Sequence, residues 1–291
     1  KIKKSYMKKA CLVTGSSGFI GSHVADYLSK KNFRVRLFDK KKSKFKKKNQ
    51  KTFIGSLTNF NDLDKATKKI NILFHFAASA DLNHSNSKPF DAIRDNVMGT
   101  ANILKACIKN KVKKIIFASS IYAISEQGGI YSTTKLASEM IIEKLCKKYN
   151  LNYVVLRFGT VYGKRANKFN TVQNFINEAK LKKKIYRETQ GNEIRSYINV
   201  KDVVKIVYLL NKKKYENGYY NIFGNKKTKV KELLGMIKKK VPNIKVHFSK
   251  KDNRKYNYKV NPFTYKLRKG KNIKLDKYMS LENGINELID I

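Results

Sequence analysis

Up to Thr160, the chain alternates short apolar runs with segments in which apolar residues recur every three to four positions. Six runs are predicted as strands: Ala10–Thr14, Phe33–Phe38, Thr52–Ile54, Ile72–Ala77, Lys114–Ala118 and Tyr153–Phe158. Apart from a solvated basic loop at Lys40–Lys51, the main segments between them are predicted as helices: Phe19–Lys31, Asn61–Lys69, Pro89–Asn110 and Tyr131–Tyr149. Short apolar strands separated by helices favour parallel pairing with right-handed crossovers. The pattern predicts an α/β fold with a doubly wound parallel (Rossmann) sheet, whose ligands bind at the carboxyl ends of the strands.

The regular alternation fades after Gly163. One further strand, Gly218–Phe223, and four helices are predicted in this part: Asn170–Leu181, Val200–Asn211, Thr228–Val241 and Ser280–Ile291. We therefore expect a Rossmann domain at residues 7–163, to which 196–224 returns. Residues 164–195 and 225–291 are expected to form a smaller C-terminal lobe that binds substrate.

Length and composition are those of an ordinary globular protein, with 291 residues and 41% hydrophobic content. No apolar run approaches the roughly 18 residues that a membrane span needs, so no membrane association is expected. Cys11, Cys107 and Cys146 are widely spaced and fall in apolar segments, which predicts small buried side chains and no metal site. A reducing cytoplasm is the compartment that such cysteines favour.

The formal net charge of +44 has two possible explanations. One is binding to nucleic acid or a membrane surface, because polyanions attract such a surface. The other is compositional bias, since the chain has 56 lysines but only 9 arginines, and the lysines occur in short runs over its whole length. A nucleic-acid site gathers charge on one face and includes arginine. We therefore expect no specific nucleic-acid partner, although polyanions should bind weakly at low salt.

Three glycines, Gly15, Gly18 and Gly21, lie between the first predicted strand and the first helix. Glycine there permits a sharp turn, close approach of a pyrophosphate to the backbone, and tight packing of helix on strand. The helix N-terminus then offers free N–H groups to phosphate. Asp39 ends the second strand and can accept both hydroxyls of an adenosine ribose, which favours NAD over NADP. The sequence thus predicts an NAD site, the alternative being a structural turn with a surface aspartate.

Tyr131 and Lys135 are four residues apart at the start of a predicted helix, so they share one face. A lysine in that position can lower the pKa of the phenol and make it an acid/base near neutral pH. Ser119 and Ser120 follow the fifth strand at the edge where ligands bind. Together with the glycine loop, these residues predict a catalytic site.

These features, in this order, resemble the extended short-chain dehydrogenase/reductase superfamily, and within it the nucleotide-sugar epimerase/dehydratase branch that includes UDP-glucose 4-epimerase. The resemblance extends from Lys9 to Ile291 and rests on the following segments: Thr14–Gly21, Leu73–Ala78, Asp95–Thr100, Phe117–Ser120, Tyr131–Lys135, Leu156–Gly163, Arg195–Asp202 and Tyr220–Gly224. It implies an NAD-dependent enzyme acting on nucleotide-diphosphate sugars, of the kind that supplies cell-surface polysaccharide synthesis.

The resemblance also implies residue roles. Tyr131 is expected to be the acid/base, Ser120 to hydrogen-bond the reacting oxygen, and Lys135 to hold the nicotinamide ribose and tune Tyr131. The cofactor is expected to contact Gly15, Ser17, Gly18, Phe19, Ile20, Gly21, Asp39, Ser56, Leu57, Ala77, Ala78, Ser79, Asn96, Lys135, Phe158 and Val161. The substrate is expected to contact Ser120, Thr160, Arg195 and Arg254, with Arg195 on the diphosphate and Arg254 as a second clamp.

Two positions depart from the family pattern. An acidic residue that contacts adenine often follows the glycine of the third strand, but here Ser56 follows Gly55. Adenine is therefore expected to be held by Ser56 or nearby backbone. Thr160 stands where the family often has asparagine.

The reaction is inferred from the groups beside Ser120. Family members that eliminate water carry a glutamate just after the catalytic Ser/Thr, but Ile121 and Tyr122 follow Ser120 here. Epimerisation at C3 or C5 needs an additional base, and His84 is the only histidine expected near substrate. A 4-epimerase needs only Tyr131, Ser120, Lys135 and NAD, and is the preferred hypothesis. The alternatives are an NAD(P)H-dependent reductase of a nucleotide 4-keto sugar or another sugar-nucleotide dehydrogenase and, more remotely, a non-catalytic cofactor-sensing or RNA-binding protein.

A homodimer is expected from the same resemblance. In relatives, the helices corresponding to Pro89–Asn110 and Tyr131–Tyr149 pair with those of a second subunit. Ile141, Ile142 and Leu145 place apolar side chains on more than one face of the second helix, as a buried partner surface requires.

Overall fold

The computed structural model describes residues 9–125, 127–249 and 271–290. Its strands are β1 (Ala10–Thr14), β2 (Arg34–Asp39), β3 (Lys51–Ile54), β4 (Ile72–His75), β5 (Lys114–Ser120), β6 (Asn152–Phe158), β7 (Thr160–Tyr162), β8 (Lys184–Arg187), β9 (Ile194–Asn199), β10 (Gly218–Ile222), β11 (Lys227–Lys229), β12 (Lys245–Phe248) and β13 (Lys271–Asn272). Its α-helices are α1 (Phe19–Lys30), α2 (Phe60–Thr67), α3 (Leu82–Ser87), α4 (Pro89–Ala92), α5 (Gly99–Lys109), α6 (Gly129–Lys148), α7 (Thr171–Lys182), α8 (Val200–Leu210), α9 (Val230–Lys240) and α10 (Leu281–Ile289). A π-helix spans Ile93–Met98, and 3-10 turns span Ile121–Ile124 and Lys213–Tyr215.

Eight strands form one parallel sheet in the order β13-β10-β6-β5-β4-β1-β2-β3. The strand order reverses between β1 and β4, so the carboxyl ends of these two strands flank a crevice that crossover helices leave open. The prediction of a doubly wound parallel sheet with a smaller C-terminal lobe is confirmed.

Alternation along each strand supplies a core on both faces of the sheet. In β1, Cys11 and Val13 face one core, which α1 and α8 cover, whereas Ala10 and Leu12 face the other, under α2, α5 and α6. Burial on both faces explains why these strands appear as uninterrupted apolar runs in the sequence.

A third core lies in the C-terminal part of the chain, between α7, α9 and α10. Two short sheets lie beside this core: one has β9 between β7 and β11, and the other pairs β8 with β12. Asparagine or serine side chains cap the N-termini of α7, α8 and α10, where Asn170, Asn199 and Ser280 accept hydrogen bonds from first-turn N–H groups. These caps set the residues at which the three helices begin.

Some local details differ from the predictions. The helix predicted at Pro89–Asn110 consists of α4, the π-helix Ile93–Met98 and α5 in succession, and α3 forms in a segment for which no element was predicted. The basic loop is only partly solvated, because Ser43 and Gln50 are buried and Gln50 donates a hydrogen bond to the Ser29 hydroxyl at 3.0 Å. The short strands β7, β8, β9, β11 and β12 were not predicted, because runs of three to six residues with mixed polarity carry little periodicity.

Within the described ranges, no helix has both the length and the apolar character that crossing a bilayer requires.

Candidate active site

The three glycines at the turn from β1 into α1 have different surroundings. Gly15 has φ +68°, and a Cβ there would lie 2.7 Å from the backbone nitrogen of Ala77. A Cβ on Gly21 would lie 2.3 Å from the Gly15 carbonyl oxygen, so α1 packs directly on the turn. A Cβ on Gly18 would meet only that same oxygen, at 3.1 Å. Packing therefore needs Gly15 and Gly21, whereas Gly18 leaves open space beside the N-terminus of α1.

A groove of about 700 Å³ runs along the carboxyl ends of the strands from this loop. Most of the predicted cofactor residues line it: Gly15, Ser17, Gly18, Phe19, Ile20, Gly21, Asp39, Leu57, Ala77, Ala78, Ser79, Lys135, Phe158 and Val161. The carboxylate of Asp39 accepts a hydrogen bond from the Ser17 N–H at 2.9 Å, which joins the end of β2 to the glycine loop. At the same end of the groove, the Lys40 ammonium pairs with Asp95 at 2.9 Å.

Ser56 and Asn96 are not among the described residues that line the groove. The Ser56 hydroxyl bonds to Thr58 at 2.8 Å, and its N–H donates to Asp62. Asn96 is buried, accepting from the Ser79 N–H at 2.7 Å and donating to the Thr134 hydroxyl at 3.0 Å. Asn96 thus supports a wall of the groove from behind, and both residues remain only predicted cofactor contacts.

Ser120, Tyr131 and Lys135 meet where the groove passes the end of β5. The Lys135 ammonium donates to the Ala118 carbonyl at 2.9 Å and lies 6.0 Å from the centroid of the Tyr131 ring. The Ser120 hydroxyl oxygen accepts a hydrogen bond from the Tyr122 N–H at 3.2 Å. The structure therefore brings together the three residues predicted to be catalytic.

Burial dominates the acid–base properties of this group. It raises the pKa of Tyr131 to about 12, and a hydrogen bond with Ser120 offsets only part of that rise. The pKa of Tyr131 in the protein alone is therefore above its usual value, where the spacing to Lys135 predicts a fall, because desolvation disfavours the phenolate. Burial also lowers the pKa of Lys135 to about 8, while the Glu139 carboxylate opposes that fall.

A buried ion pair lies one helical turn beyond Lys135. Glu139 and Arg157 are almost completely inaccessible, with side chains 1% and 2% exposed, and their Oε2 and Nη2 atoms are 2.7 Å apart. Glu139 also accepts a hydrogen bond from Ser119 at 2.5 Å. The pair ties α6, which carries Tyr131 and Lys135, to β6, and the Ser119 hydrogen bond ties the same helix to β5, the strand that ends in Ser120.

The histidines lie outside the reacting group. His75 is buried between the hydroxyls of Thr14 and Thr100, at 2.7 and 3.2 Å, and burial lowers its pKa to about 3. It is therefore neutral at physiological pH and supports the end of β4. His84, expected near substrate, is exposed on α3 and lines neither the groove nor the neighbouring cavity.

A cavity of about 190 Å³ adjoins the groove at Ser120. Three of the residues predicted to bind substrate, Ser120, Thr160 and Arg195, line it. The fourth, Arg254, lies outside the described residues. No Asp, Glu, His or Cys is among the described residues of the cavity wall, and no group of three such side chains elsewhere in the described chain could hold a metal ion.

Sequence reasoning missed several residues of the site. Tyr122 and Arg187 line the cavity, and Asp95 and Arg165 line the groove. The Arg165 guanidinium pairs with Asp26 at 2.9 Å and stacks 4.3 Å from the centroid of Phe45. Arginine is rare in this lysine-rich chain, and three of its described arginines, Arg165, Arg187 and Arg195, line the groove or the cavity.

Comparison with known proteins places these features in context. Residues 11–222 match the model of the NAD dependent epimerase/dehydratase family. A provisionally assigned UDP-glucose 4-epimerase of Methanocaldococcus jannaschii is 31% identical over 79% of this chain and 82% of its own. A UDP-N-acetyl-alpha-D-glucosaminuronate decarboxylase of Bacillus cytotoxicus is 29% identical over 78% of each chain. The crystal structure of Thermotoga maritima UDP-glucose 4-epimerase with UDP-glucose is similar with a TM-score of 0.79, at 26% identity and 97% coverage of both chains.

Proposed function

The chain belongs to the NAD-dependent epimerase/dehydratase family, and from that premise we propose that it is a nucleotide-sugar 4-epimerase. Family membership confirms the predicted superfamily and the predicted cofactor, NAD. Relatives of similar identity include an epimerase and a decarboxylase, so the choice of reaction rests on the site of this chain.

The residues of the groove fit NAD. Gly18 leaves space at the N-terminus of α1, where N–H groups without a side-chain cap can donate to a pyrophosphate. Asp39 stands where ribose hydroxyls can donate to its carboxylate. Bound NAD supplies the acceptor and donor of the hydride that an epimerase removes from and returns to the sugar carbon.

Tyr131 takes the proton of the sugar 4-hydroxyl in this proposal, and Ser120 holds that oxygen. Because burial raises the pKa of Tyr131 to about 12, its phenolate needs local stabilisation. The Ser120 hydrogen bond lowers the phenol pKa, and the Lys135 ammonium, 6.0 Å from the centroid of the Tyr131 ring, is proposed to add to that effect. The 4-keto sugar then rotates so that its opposite face meets NAD, and Tyr131 returns the proton to the sugar oxygen. No further acid or base is used.

The composition of the cavity wall carries the choice of reaction. Eliminating water from a sugar requires a group that protonates the leaving hydroxyl, and epimerising C3 or C5 requires a base at that carbon. No carboxylate, imidazole or thiol is among the described residues that line the cavity, and Tyr122 stands beside Ser120. A 4-epimerase needs only the hydroxyls of Ser120 and Tyr131 with Lys135.

The substrate is proposed to be a UDP-hexose. Arg195 lies in the cavity wall and can bind a diphosphate. The relatives from Methanocaldococcus jannaschii and Thermotoga maritima are named for UDP-glucose.

The test is interconversion of UDP-glucose and UDP-galactose by the purified protein, with dTDP- and GDP-hexoses compared. Tyr131→Phe should lower kcat at least about a hundredfold, because the acid/base is removed. Tyr208→Phe, a tyrosine outside the groove and cavity, is the matched control and should retain activity. Formation of a 4-keto-6-deoxy sugar would refute the 4-epimerase, and net consumption of NADH with a 4-keto sugar would instead identify a reductase. An undiminished biological role of Tyr131→Phe would favour a non-catalytic protein.

A homodimer is proposed from exposed apolar side chains on the predicted pairing helices. Phe90, Ile93, Met98 and Met140 are exposed on α4, the π-helix and α6, with Phe90 83% accessible. Phe90→Glu with Met140→Glu should convert a dimer to a monomer in light scattering. Leu181→Glu alters an equally exposed residue on α7 and should not. A monomeric wild type at micromolar concentration would refute the dimer.

A further inference from the structure

Arg187 is an arginine of the substrate cavity that no motif predicted. It ends β8 and lines the same cavity as Arg195 and Ser120. Its side chain is only 14% exposed, although the residues before it on the strand include an exposed lysine and tyrosine. A long cationic side chain at this position is therefore largely buried and lies in the cavity wall.

The strand β9 shows where Arg187 lies relative to the reacting end of the cavity. Thr160, near Ser120, is in register with Tyr197 of β9. Arg195 is two residues earlier on the same face of β9, or about 7 Å away along the strand. Glu193 is two residues earlier again, and Arg187 pairs with it. The order along the cavity is thus reacting end, Arg195, Arg187.

Buried contacts hold the Arg187 guanidinium in place. Its Nη2 donates to Glu193, whose carboxylate also accepts from the Thr189 hydroxyl at 2.9 Å. The ring of Phe175 lies 5.6 Å from the guanidinium carbon. A guanidinium has five N–H groups, and among the described residues only Glu193 accepts a hydrogen bond from Arg187. Such a fixed fork binds phosphate with little loss of side-chain freedom.

We infer that Arg187 is a second phosphate-binding arginine, contacting the phosphate next to the nucleoside while Arg195 contacts the phosphate next to the sugar. The inference rests on the proposed function, since it takes the ligand to be a nucleoside diphosphate sugar whose hexose lies at Ser120. Arg187 is then the second diphosphate-binding arginine among the described residues. It sets the affinity for the nucleotide without touching the reacting sugar.

The test uses variants that keep the buried carboxylate from being left alone. Arg187→Met with Glu193→Gln removes both charges, so net charge is unchanged and no buried ion loses its partner. Lys201→Met with Glu287→Gln removes another ion pair, exposed and outside the cavity, and is the matched control. Arg187→Lys keeps the pair with Glu193 but loses the fork, which preserves the test if the double variant does not fold.

Binding of UDP, UMP and uridine to the NAD-loaded protein is measured by calorimetry. The double variant should bind both UDP and UMP about tenfold more weakly, the loss of one charge-assisted hydrogen-bonded contact, and uridine as the wild type does. Arg187→Lys should lose about fivefold for UDP and UMP. In turnover of UDP-glucose, KM should rise about tenfold while kcat stays within twofold, because the contact is made equally in ground and transition states.

Two results would overturn the inference. Uridine affinity falling as far as UDP affinity would place the contact on the nucleoside, and unchanged UDP affinity in a folded variant would leave Arg187 a structural residue only. Failure of the proposed function is separately visible in the wild type. UDP binding without epimerisation would refute the reaction, and absence of binding to UDP, dTDP and GDP alike would refute the substrate class before any variant is compared.

Discussion

Two substitutions in the glycine loop, each of which adds one methyl group, should distinguish the glycine needed for folding from the glycine needed for NAD binding. Gly21→Ala places a Cβ 2.3 Å from the Gly15 carbonyl oxygen and 2.8 Å from its carbon, both backbone atoms. Gly18→Ala places one 3.1 Å from the same oxygen and otherwise in open space, at φ −82°, which any residue adopts. The first methyl therefore enters the packed contact between α1 and the turn that follows β1, and the second enters the space proposed for the pyrophosphate.

The magnitudes follow from these distances. At Gly21 the backbone must separate by about 1 Å, and overpacking of this kind costs about 1–3 kcal/mol or more. Alanine's better helix propensity returns about 1 kcal/mol. Because the clashing atoms are backbone atoms, we take the upper end and expect a net loss of about 2 kcal/mol, which lowers the melting temperature by about 3 °C for a chain of this size. At Gly18 the free energy of unfolding should change by about 0.5 kcal/mol or less, while NAD affinity falls at least about tenfold because the pyrophosphate loses its closest backbone approach.

The assay is thermal melting together with NAD calorimetry, both on protein stripped of cofactor, because bound NAD would itself raise the melting temperature. Gly21→Ala should lower both the melting temperature and the NAD affinity, whereas Gly18→Ala should lower only the NAD affinity. A Gly18→Ala protein that binds NAD as tightly as the wild type, or that melts as early as Gly21→Ala, would refute this division of roles.

Three further outcomes are expected. Glu139→Gln leaves the buried Arg157 without its carboxylate and should lower the free energy of unfolding in urea by about 3–5 kcal/mol. Glu139→Gln with Arg157→Met should restore most of that loss, and an equal loss in both variants would show that the pair is not coupled. Because the pKa of Lys135 is lowered to about 8, its ammonium is charged below that pH and neutral above it. Epimerase activity should therefore decline on the alkaline side near pH 8, and a profile flat to pH 10 would exclude a requirement for the cation. Asp39→Ser removes the carboxylate that repels a 2′-phosphate, so the ratio of NAD to NADP affinity should fall at least about tenfold in calorimetry, and an unchanged ratio would assign the preference elsewhere.

The sequence by itself determined the architecture and the central residues of the site. Apolar strands such as β1 and β4 are buried on both faces, so they appear as uninterrupted runs whose helical spacers imply parallel pairing. The glycine spacing and the pair Tyr131 and Lys135 are local patterns, because a turn and a single helical face bring their members together within a few residues.

Only the tertiary structure decided which distant residues act together and how their environment changes them. Arg187 of β8 pairs with Glu193, just before β9, and β9 aligns with β7 on Tyr197 and Thr160; no one of these segments alone encodes the cavity that Arg187 and Thr160 share. The direction of the Tyr131 pKa also needed the fold, since the spacing to Lys135 predicts a fall whereas burial produces a rise. Local pattern fixes which side chains share a face, but desolvation and contacts between segments far apart in the chain depend on how those faces pack.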